Sequence, residues 1–362
     1  MPELEISENE IKNLTAEVIV LLQNMIFTPS FSKEERNSAL LIRHFLESHG
    51  VEVHQKGNNI WAIAENCAEG SPTILLNSHH DTVKPSEGWD TDPFKPVIKD
   101  GKLIGLGSND AGASAVSLLA TFLFLSKLPI LPYKLIVAIT AEEEISGQNG
   151  ISSIFKELGE IDLGIVGEPT GMEMAIAEKG LMVLDCVVHG KAGHAARNEG
   201  ENAIYKALED LKWLQNHQFE KKSPVLGPVK MTVTQINAGS QHNVVPDRCT
   251  FVVDVRSNEC YSNQELLEIM QQNIQANVTA RSTRLNASGI PLDHPIVKKG
   301  IKLGLGYYGS PTLSDQALMS FTTIKIGPGQ SARSHTANEY IMLQEIEEGI
   351  KVYIALLEGL EI

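Results

Sequence analysis

The chain has 362 residues, of which 21% are charged, and its formal net charge at pH 7 is −15. Because so acidic a surface repels phosphate backbones, we expect no nucleic-acid partner, although bound cations could still admit a carboxylate substrate. The four cysteines form no C-x-x-C pair and predict free thiols rather than a disulfide framework: Cys67, Cys186, Cys249 and Cys260.

Two segments of the sequence bear on where in the cell the protein is located. Residues 1–10 are polar and acidic, which is not the pattern of a signal peptide. Residues 111–126 form an uncharged run of sixteen residues rich in Ala, Ser and Gly. This run is short for a membrane span and predicts a buried helix instead. We therefore expect a cytoplasmic protein without a membrane partner.

The first half of the chain alternates between helical and strand patterns. Apolar residues at helical spacing predict a helix over 10–25, and Ser32 with Glu35 has the spacing of a capping box before a helix over 39–46. Apolar runs that end in polar or charged residues predict buried strands at 73–76, 135–140 and 162–166, with a buried helix at 111–125. This alternation predicts an α/β fold with a mostly parallel sheet flanked by helices.

The pattern changes after residue 178. Strands are predicted at 181–189, 229–236, 249–255 and 284–288, and helices at 202–215 and 265–274. Their order, β-α-β-β-α-β, is the ferredoxin-like arrangement. We therefore predict an inserted domain over 180–289. The other domain would comprise 1–179 and 290–362 and would close with a helix over 343–357.

Ionisable residues follow the predicted strands or adjoin glycines. His79 and Asp81 follow the first strand and share a face of an extended backbone, so they could form a metal ligand and the carboxylate that orients it, or a polar loop. Asp110 follows Gly105 and Gly107 and could bridge two cations or cap the next helix.

Further ionisable residues follow the next strands. The run 142–144 consists of three adjacent glutamates, which either form a solvated charge run or are relieved by a cation. Glu168 and His335 also lie in loops after predicted strands or glycines. The ends of the strands in an open α/β sheet meet at one edge, where sites form. A set of histidines and carboxylates without thiolates suits zinc or cobalt, and one carboxylate remains as a base for hydrolysis.

In their order along the chain, these segments resemble the metallopeptidase family that contains acetylornithine deacetylase, succinyl-diaminopimelate desuccinylase, aminoacylases and glutamate carboxypeptidase. The resemblance covers nearly the whole chain. It implies a zinc-peptidase-like catalytic domain with an inserted lid and dimerisation domain. The motifs are Ser78-His79-His80-Asp81-Thr82-Val83, 107–112, 140–144, 167–170, 190–204 with His194, Asn243-Val244-Val245-Pro246, and 327–340.

The resemblance implies a centre of two divalent metal ions, Zn²⁺ or Co²⁺. His79 and Glu168 would bind one ion, and Glu144 and His335 would bind the other. Asp110 would bridge the two. A metal-free binding protein on the same fold would be expected to lack a ligand or the base, and all of these positions are present.

The family resemblance also implies catalytic roles. Glu143 would be the general base, and Asp81 would orient His79. His194 would reach the active site of the partner subunit in a homodimer and stabilise the oxyanion. The sequence departs from the common family pattern at Ser78, at Glu142 and at residues 111–113, but no ligand is lost.

The expected reaction is removal of an acetyl or succinyl group from the α-nitrogen of ornithine, citrulline or a similar amino acid, as in arginine biosynthesis. The segment 334–341 most resembles the branch that deacetylates acetylornithine and acetyl-lysine. A dipeptidase, a carboxypeptidase or a succinyl-diaminopimelate desuccinylase is the alternative. Arg256 could bind the substrate carboxylate or form a surface ion pair. Further candidate substrate contacts are Lys179, Asn243, Ser331 and Arg333.

Overall fold

A computed structural model describes residues 8–64 and 66–362, so most of the polar segment 1–10 lies outside the described residues. Within the described ranges the α-helices are α1 (Glu8–Phe27), α2 (Arg36–Ser48), α3 (Ala113–Leu125), α4 (Phe155–Leu158), α5 (Ala203–Asn216), α6 (Asn263–Asn273), α7 (Pro295–Lys302) and α8 (Leu343–Leu357).

The strands in the same ranges are β1 (Val53–Lys56), β2 (Asn59–Ala64), β3 (Thr73–His79), β4 (Val97–Lys99), β5 (Lys102–Ile104), β6 (Lys134–Thr140), β7 (Leu163–Val166), β8 (Met174–Glu178), β9 (Met182–His189), β10 (Gly193–His194), β11 (Lys230–Ala238), β12 (Val244–Val245), β13 (Arg248–Arg256), β14 (Asn277–Ala280), β15 (Ser288–Gly289), β16 (Tyr307–Ser310), β17 (Thr323–Lys325) and β18 (Tyr340–Met342).

The chain forms two compact units. Unit 1 comprises Met1–Ile176, Ile290–Tyr308 and Ser314–Ile362, and unit 2 comprises Ala177–Gly289 and Gly309–Leu313.

Unit 1 contains a central sheet in which strands run in the order β1-β2-β6-β3-β7-β17-β8. The neighbours β6, β3, β7 and β17 are parallel, whereas β1 and β2 form an antiparallel hairpin that pairs with β6. Every residue of β3 is buried, as expected of a parallel strand covered on both faces. The predicted mostly parallel sheet is therefore confirmed.

The predicted buried helix is α3, and each of its residues is buried. Helices α1 and α8 pack against it. The segment Ser108–Leu125 is long and apolar enough to cross a membrane, but 94% of it is buried inside the fold. Burial of this kind is typical of the core helix of a globular protein.

Unit 2 contains a four-stranded antiparallel sheet with the order β11-β13-β9-β14. Along the chain the elements run β9-α5-β11-β13-α6-β14, so the predicted ferredoxin-like order is confirmed. The prediction of its last strand at 284–288 was wrong, because the sheet closes with Asn277–Ala280 instead. Leu285 lies in a loop, where its carbonyl accepts a backbone hydrogen bond from Leu181 at 2.9 Å.

The predicted capping box at Ser32 and Glu35 was also wrong. Helix α2 begins at Arg36 and has no side-chain cap. The Ser32 hydroxyl donates to the Asp81 carboxylate at 2.7 Å, and the Glu35 carboxylate accepts the backbone N–H of Lys33 at 2.6 Å. Both side chains therefore turn away from the helix terminus that their spacing suggested.

Candidate active site

Three neighbouring parallel strands deliver ionisable residues to the same edge of the central sheet. His79 is the last residue of β3, Glu143 and Glu144 follow β6, and Glu168 follows β7. Because parallel strands end at a common edge, the sheet itself brings these side chains together.

Two loops complete the group. Asp110 lies in the irregular turn Ser108–Gly112 ahead of α3, where the peptide bond from Asp110 to Ala111 is cis. His335 follows the short turn Ser331–Arg333, beyond β17, and has a positive φ of 59°. Both side chains point toward the residues at the strand ends, as the distances below indicate.

Asp110 lies between the two histidines. Its Oδ1 atom is 3.4 Å from Nε2 of His79, and its Oδ2 atom is 3.5 Å from Nε2 of His335. Nε2 of His79 also lies 3.7 Å from Glu168 Oε1 and 3.8 Å from Glu143 Oε2, and Nε2 of His335 lies 3.1 Å from Glu144 Oε2. The geometry therefore offers two adjacent sets of donor atoms that share one carboxylate.

These donor atoms suit metal ions. Nε2 of His79 is buried and has no hydrogen-bond partner among the described residues. Donor atoms that share one tetrahedral zinc ion lie about 3.3 Å apart, given metal–ligand distances near 2.0–2.2 Å. Ligand atoms within 4.8 Å of one another occur in two sets, His79–Asp110–Glu144 and His79–Glu143–Glu168. The group is thus a possible two-metal site with imidazole and carboxylate donors and no thiolate.

The electrostatics of the group agree with this. Burial raises the pKa of Glu143 well above its usual range, an effect that His79 opposes and Glu168 reinforces. Burial, with the nearby charge of Asp110, raises the pKa of Glu168 to about 8. Buried carboxylates grouped around the same histidines repel one another, and a cation between them would relieve the repulsion.

Asp81 supports both histidine and glutamates. Nδ1 of His79 is 2.9 Å from the backbone carbonyl of Asp81 and 3.5 Å from its carboxylate, so the backbone makes the closer contact. The carboxylate accepts the backbone N–H groups of Glu143 at 3.0 Å and of Glu144 at 3.2 Å. Asp81 therefore anchors the run of three glutamates at 142–144, called the acidic turn from here on, as well as His79.

Glu142 turns away from this group. Its carboxylate accepts the backbone N–H of Asn149 at 3.2 Å and its side-chain amide at 2.9 Å. The departure from the family pattern at Glu142 therefore concerns a residue that holds the loop rather than a donor atom of the centre.

Glu339 is a buried residue to which the sequence pattern assigned no role. Its carboxylate accepts the backbone N–H groups of Gly107 at 3.1 Å, Asn109 at 2.8 Å and Asp110 at 2.9 Å. Burial, with the charge of Asp110, raises its pKa to about 7. Its burial appears only in the fold; in the sequence its one signal is its position four residues after the candidate ligand His335.

Two predicted substrate contacts lie near His335 in the chain. Arg333 forks onto Glu345 with distances of 2.6 and 3.1 Å and lies over the ring of Tyr340. Ser331 is exposed. The guanidinium of Arg333 is therefore already engaged within unit 1.

The remaining candidates lie in unit 2. His194, in β10 of the antiparallel pair β10-β12, is exposed, and Asn243 directly precedes β12. A cleft of about 770 Å³ is lined by residues that flank both positions, including Ala195, His242 and Val244. Arg256 forks onto Asp254 at 2.9 and 3.2 Å, and Lys179 is half-buried.

The chain is similar to known proteins of one family. Residues 75–359 match the family described as Peptidase family M20/M25/M40. A succinyl-diaminopimelate desuccinylase of Xanthomonas campestris pv. campestris (strain 8004) is 25% identical over 378 aligned residues, which cover 96% of this chain and 100% of the relative.

Solved structures share the fold. An aminopeptidase PepT from Bacillus cereus ATCC 10987 is 19% identical, with a TM-score of 0.77 and coverage of 95% of this chain and 98% of the other. The YXEP protein of Bacillus subtilis, described as a dinuclear metal binding peptidase of the M20 family, is 16% identical, with a TM-score of 0.72 and coverage of 96% and 100%. With the family match over most of its length, the chain belongs to peptidase family M20/M25/M40 and is a metal-dependent hydrolase of amide bonds.

Proposed function

We propose that the protein is a two-metal deacylase that removes an acetyl or succinyl group from the α-nitrogen of a small amino acid such as ornithine or citrulline. The position of Asp110, with one carboxylate oxygen near each of His79 and His335, carries the proposal. His79 and Glu168 would hold one divalent ion, Glu144 and His335 would hold the second, and Asp110 would bridge them. Zinc and cobalt suit these donors.

When bound, two divalent cations acidify water and polarise the amide carbonyl. Glu143 accepts the proton of the attacking water and delivers it to the departing amine. Its carboxylate suits this task because it is near His79 yet is not needed to complete either pair of terminal ligands. Asp81 holds the backbone of Glu143 and so fixes where the base stands.

The acyl group and amino acid are the finer part of the proposal. The motif 334–341 favours the acetylornithine branch and with it a role in arginine biosynthesis. The 25% identity to a desuccinylase over almost the whole chain favours succinyl-diaminopimelate as the second candidate. Both substrates present a carboxylate, which Arg256, Asn243, Lys179 or Ser331 would bind, whereas the guanidinium of Arg333 is already paired with Glu345.

We also propose a cytoplasmic homodimer that forms through unit 2. Tyr205 and Leu208 on α5 and Ile236 on β11 are exposed, and β11 is an edge strand of its sheet. A second copy would cover this apolar surface and the strand edge. Nδ1 of His194 accepts the backbone N–H of Ala196 at 3.1 Å, which leaves Nε2 as the protonated nitrogen of the neutral ring. That N–H group would stabilise the oxyanion in the partner's site.

A hydrolysis screen tests the proposal. Purified protein loaded with zinc or cobalt is incubated with acetyl and succinyl derivatives of ornithine, citrulline, lysine and diaminopimelate, and with a tripeptide. Preferential release of a free α-amine from an acyl amino acid is expected. Preferential cleavage of the tripeptide would instead make the protein a peptidase.

A further inference from the structure

The carboxylate of Glu35 is fully buried, with none of the residue's surface exposed. It has no ion pair with any lysine, arginine or histidine in the described part of the chain. Its three partners are hydrogen-bond donors: the backbone N–H of Lys33 at 2.6 Å, the side-chain amide of Asn58 at 2.8 Å and the backbone N–H of Glu142 at 3.2 Å. A buried carboxylate is costly unless such donors compensate it, so its retention needs a reason.

The bond to Glu142 belongs to a larger pattern. Three consecutive N–H groups of the acidic turn are each accepted by a buried carboxylate oxygen: that of Glu142 by Glu35, and those of Glu143 and Glu144 by the two oxygens of Asp81. Two carboxylates thus hold the turn by its backbone. Its own side chains at Glu143 and Glu144 reach the histidines instead.

The backbone of Glu142 needs this support. Its φ of 57° lies in the left-handed region, which a glutamate rarely adopts. The bond from its N–H group to Glu35 and the bonds from Asn149 to its carboxylate hold it there.

Glu35 and Ser32 come from the same short segment before α2. Glu35 accepts from Glu142, and Ser32 donates to Asp81, so this segment supplies one carboxylate that holds the acidic turn and contacts the other. Phe31 also forms a parallel bridge with Thr82, directly after Asp81. The segment is therefore tied to the strand end that carries His79.

We propose that Glu35 is a positioning residue for the reaction: by accepting the backbone N–H of Glu142 it fixes the acidic turn, and so places the carboxylates of Glu143 and Glu144 relative to His79 and His335. This inference rests on the proposed function, since it assigns those two glutamates as base and ligand. Residues that orient metal ligands typically contribute 10–100-fold in metal affinity or activity.

Asn58 makes a polarity swap possible. In Glu35→Gln, the side-chain amide has only one acceptor oxygen, so one set of bonds is lost in either orientation. If its NH₂ group faces Asn58, donor meets donor; if its oxygen faces Asn58, its NH₂ group faces the N–H groups of Lys33 and Glu142, and both of those bonds are lost. Asn58→Asp alone sets two carboxylates against each other. In the double variant E35Q/N58D, the introduced amide can donate to the introduced carboxylate, which restores the bond with donor and acceptor exchanged.

The experiment measures kcat, KM and melting temperature for wild type, E35Q, N58D and E35Q/N58D. It also records the dissociation constant of Co²⁺ and the visible absorption spectrum of the cobalt-loaded protein. Glu34→Gln is the matched control, because Glu34 is the exposed neighbour. We expect E35Q and N58D each to lower kcat about 10–100-fold with KM nearly unchanged, and to alter the cobalt spectrum. The double variant should recover to within about threefold of wild type, because the two changes are coupled.

A purely structural role is the contrary outcome. E35Q would then lower the melting temperature but leave kcat and the cobalt spectrum of the folded protein unchanged, or the double variant would recover nothing. Either result overturns the proposal. If E35Q does not fold, N58D and the double variant still decide. If wild type cleaves none of the screened substrates, the proposed function fails, and Co²⁺ affinity and spectrum still test Glu35 alone.

Discussion

The carboxylate of Glu339 holds the backbone of Asp110, whose N–H group donates to it at 2.9 Å. The same carboxylate accepts the N–H groups of Gly107 and Asn109, so three donors from one turn converge on one buried residue. Glu339 follows His335 by four residues. It therefore connects the loop of one proposed ligand to the turn of the bridging ligand.

Glu339→Gln should lower zinc affinity and kcat about 10–100-fold. The amide replaces one acceptor oxygen with a donor, so at least one N–H group of the turn loses its partner. Zinc content after dialysis against a competing chelator, together with kcat, checks this. Glu348→Gln, on the exposed face of α8, is the control and should behave as wild type. Unchanged zinc content and kcat in E339Q would contradict the role.

Substitution of Glu143, the proposed base, and of Glu144, a proposed ligand, should have different effects. Glu143→Gln should keep both metal ions but lose at least about 100-fold in kcat, because an amide cannot accept a proton from water and general base catalysis contributes about 10²–10⁴-fold. Glu144→Gln should lose metal. Metal stoichiometry and kcat measured on both variants distinguish the base from the ligand. Loss of metal in Glu143→Gln, with metal retained in Glu144→Gln, would exchange the two roles.

Removal of metal should abolish turnover and reduce stability. Chelation leaves the carboxylates of Glu143, Glu144 and Glu168 near one another without a cation, and added zinc or cobalt should restore activity. An ion that binds only the folded state at 100 times its dissociation constant stabilises that state by about 2.7 kcal/mol. Activity and melting temperature of chelated and reloaded protein check both effects. Full turnover by metal-stripped protein would refute the metal dependence.

Substitutions of the two arginines that the sequence offered as substrate contacts should have different effects. Arg333 is paired with Glu345 and lies over Tyr340, with only 19% of its side chain exposed, so Arg333→Ala should mainly lower the melting temperature. The side chain of Arg256 is 35% exposed in its pair with Asp254, so Arg256→Ala should mainly raise KM for substrates with a free carboxylate. Melting curves and KM values for both variants test this. A raised KM in Arg333→Ala and a lowered melting temperature in Arg256→Ala would exchange the two roles.

The sequence predicted those parts of the fold whose signal is local. The closing helix 343–357 and the strand 135–140 have strong apolar patterns, and both agree with the structure to within one residue at each end. Strand β1 was not predicted, because it is short, polar and half exposed and takes its order from pairing with β2. Tertiary pairing of this kind leaves little trace in a single segment.

The same distinction holds in the site. Histidines and carboxylates at strand ends could be found because their position in the pattern is unusual, and the structure brings His79, Asp110 and His335 together. Glu35 and Glu339 were not found, because each accepts N–H groups from segments far away in sequence. For Glu35 the local spacing was misleading, since the same residues that match a capping box serve the acidic turn instead.

The last prediction concerns His194, which we propose to act on the partner subunit's metal site. Its exposed side chain lies in β10, which pairs with β12 in unit 2, whereas Glu143 belongs to unit 1. His194→Ala and Glu143→Gln homodimers should each be almost inactive. When the two variants are dissociated, mixed and reassociated, each heterodimer has one site with both lesions and one site with neither. The activity of verified heterodimers should therefore recover to about half of the wild-type value per dimer, because one intact site of two remains.

The same mixing of Glu143→Gln with Glu144→Gln is the matched control and should recover nothing, since both changes lie in unit 1 and leave one lesion in every site. If His194 acts within its own chain, each heterodimer likewise has one lesion per site, and the absence of recovery would refute its role across the interface.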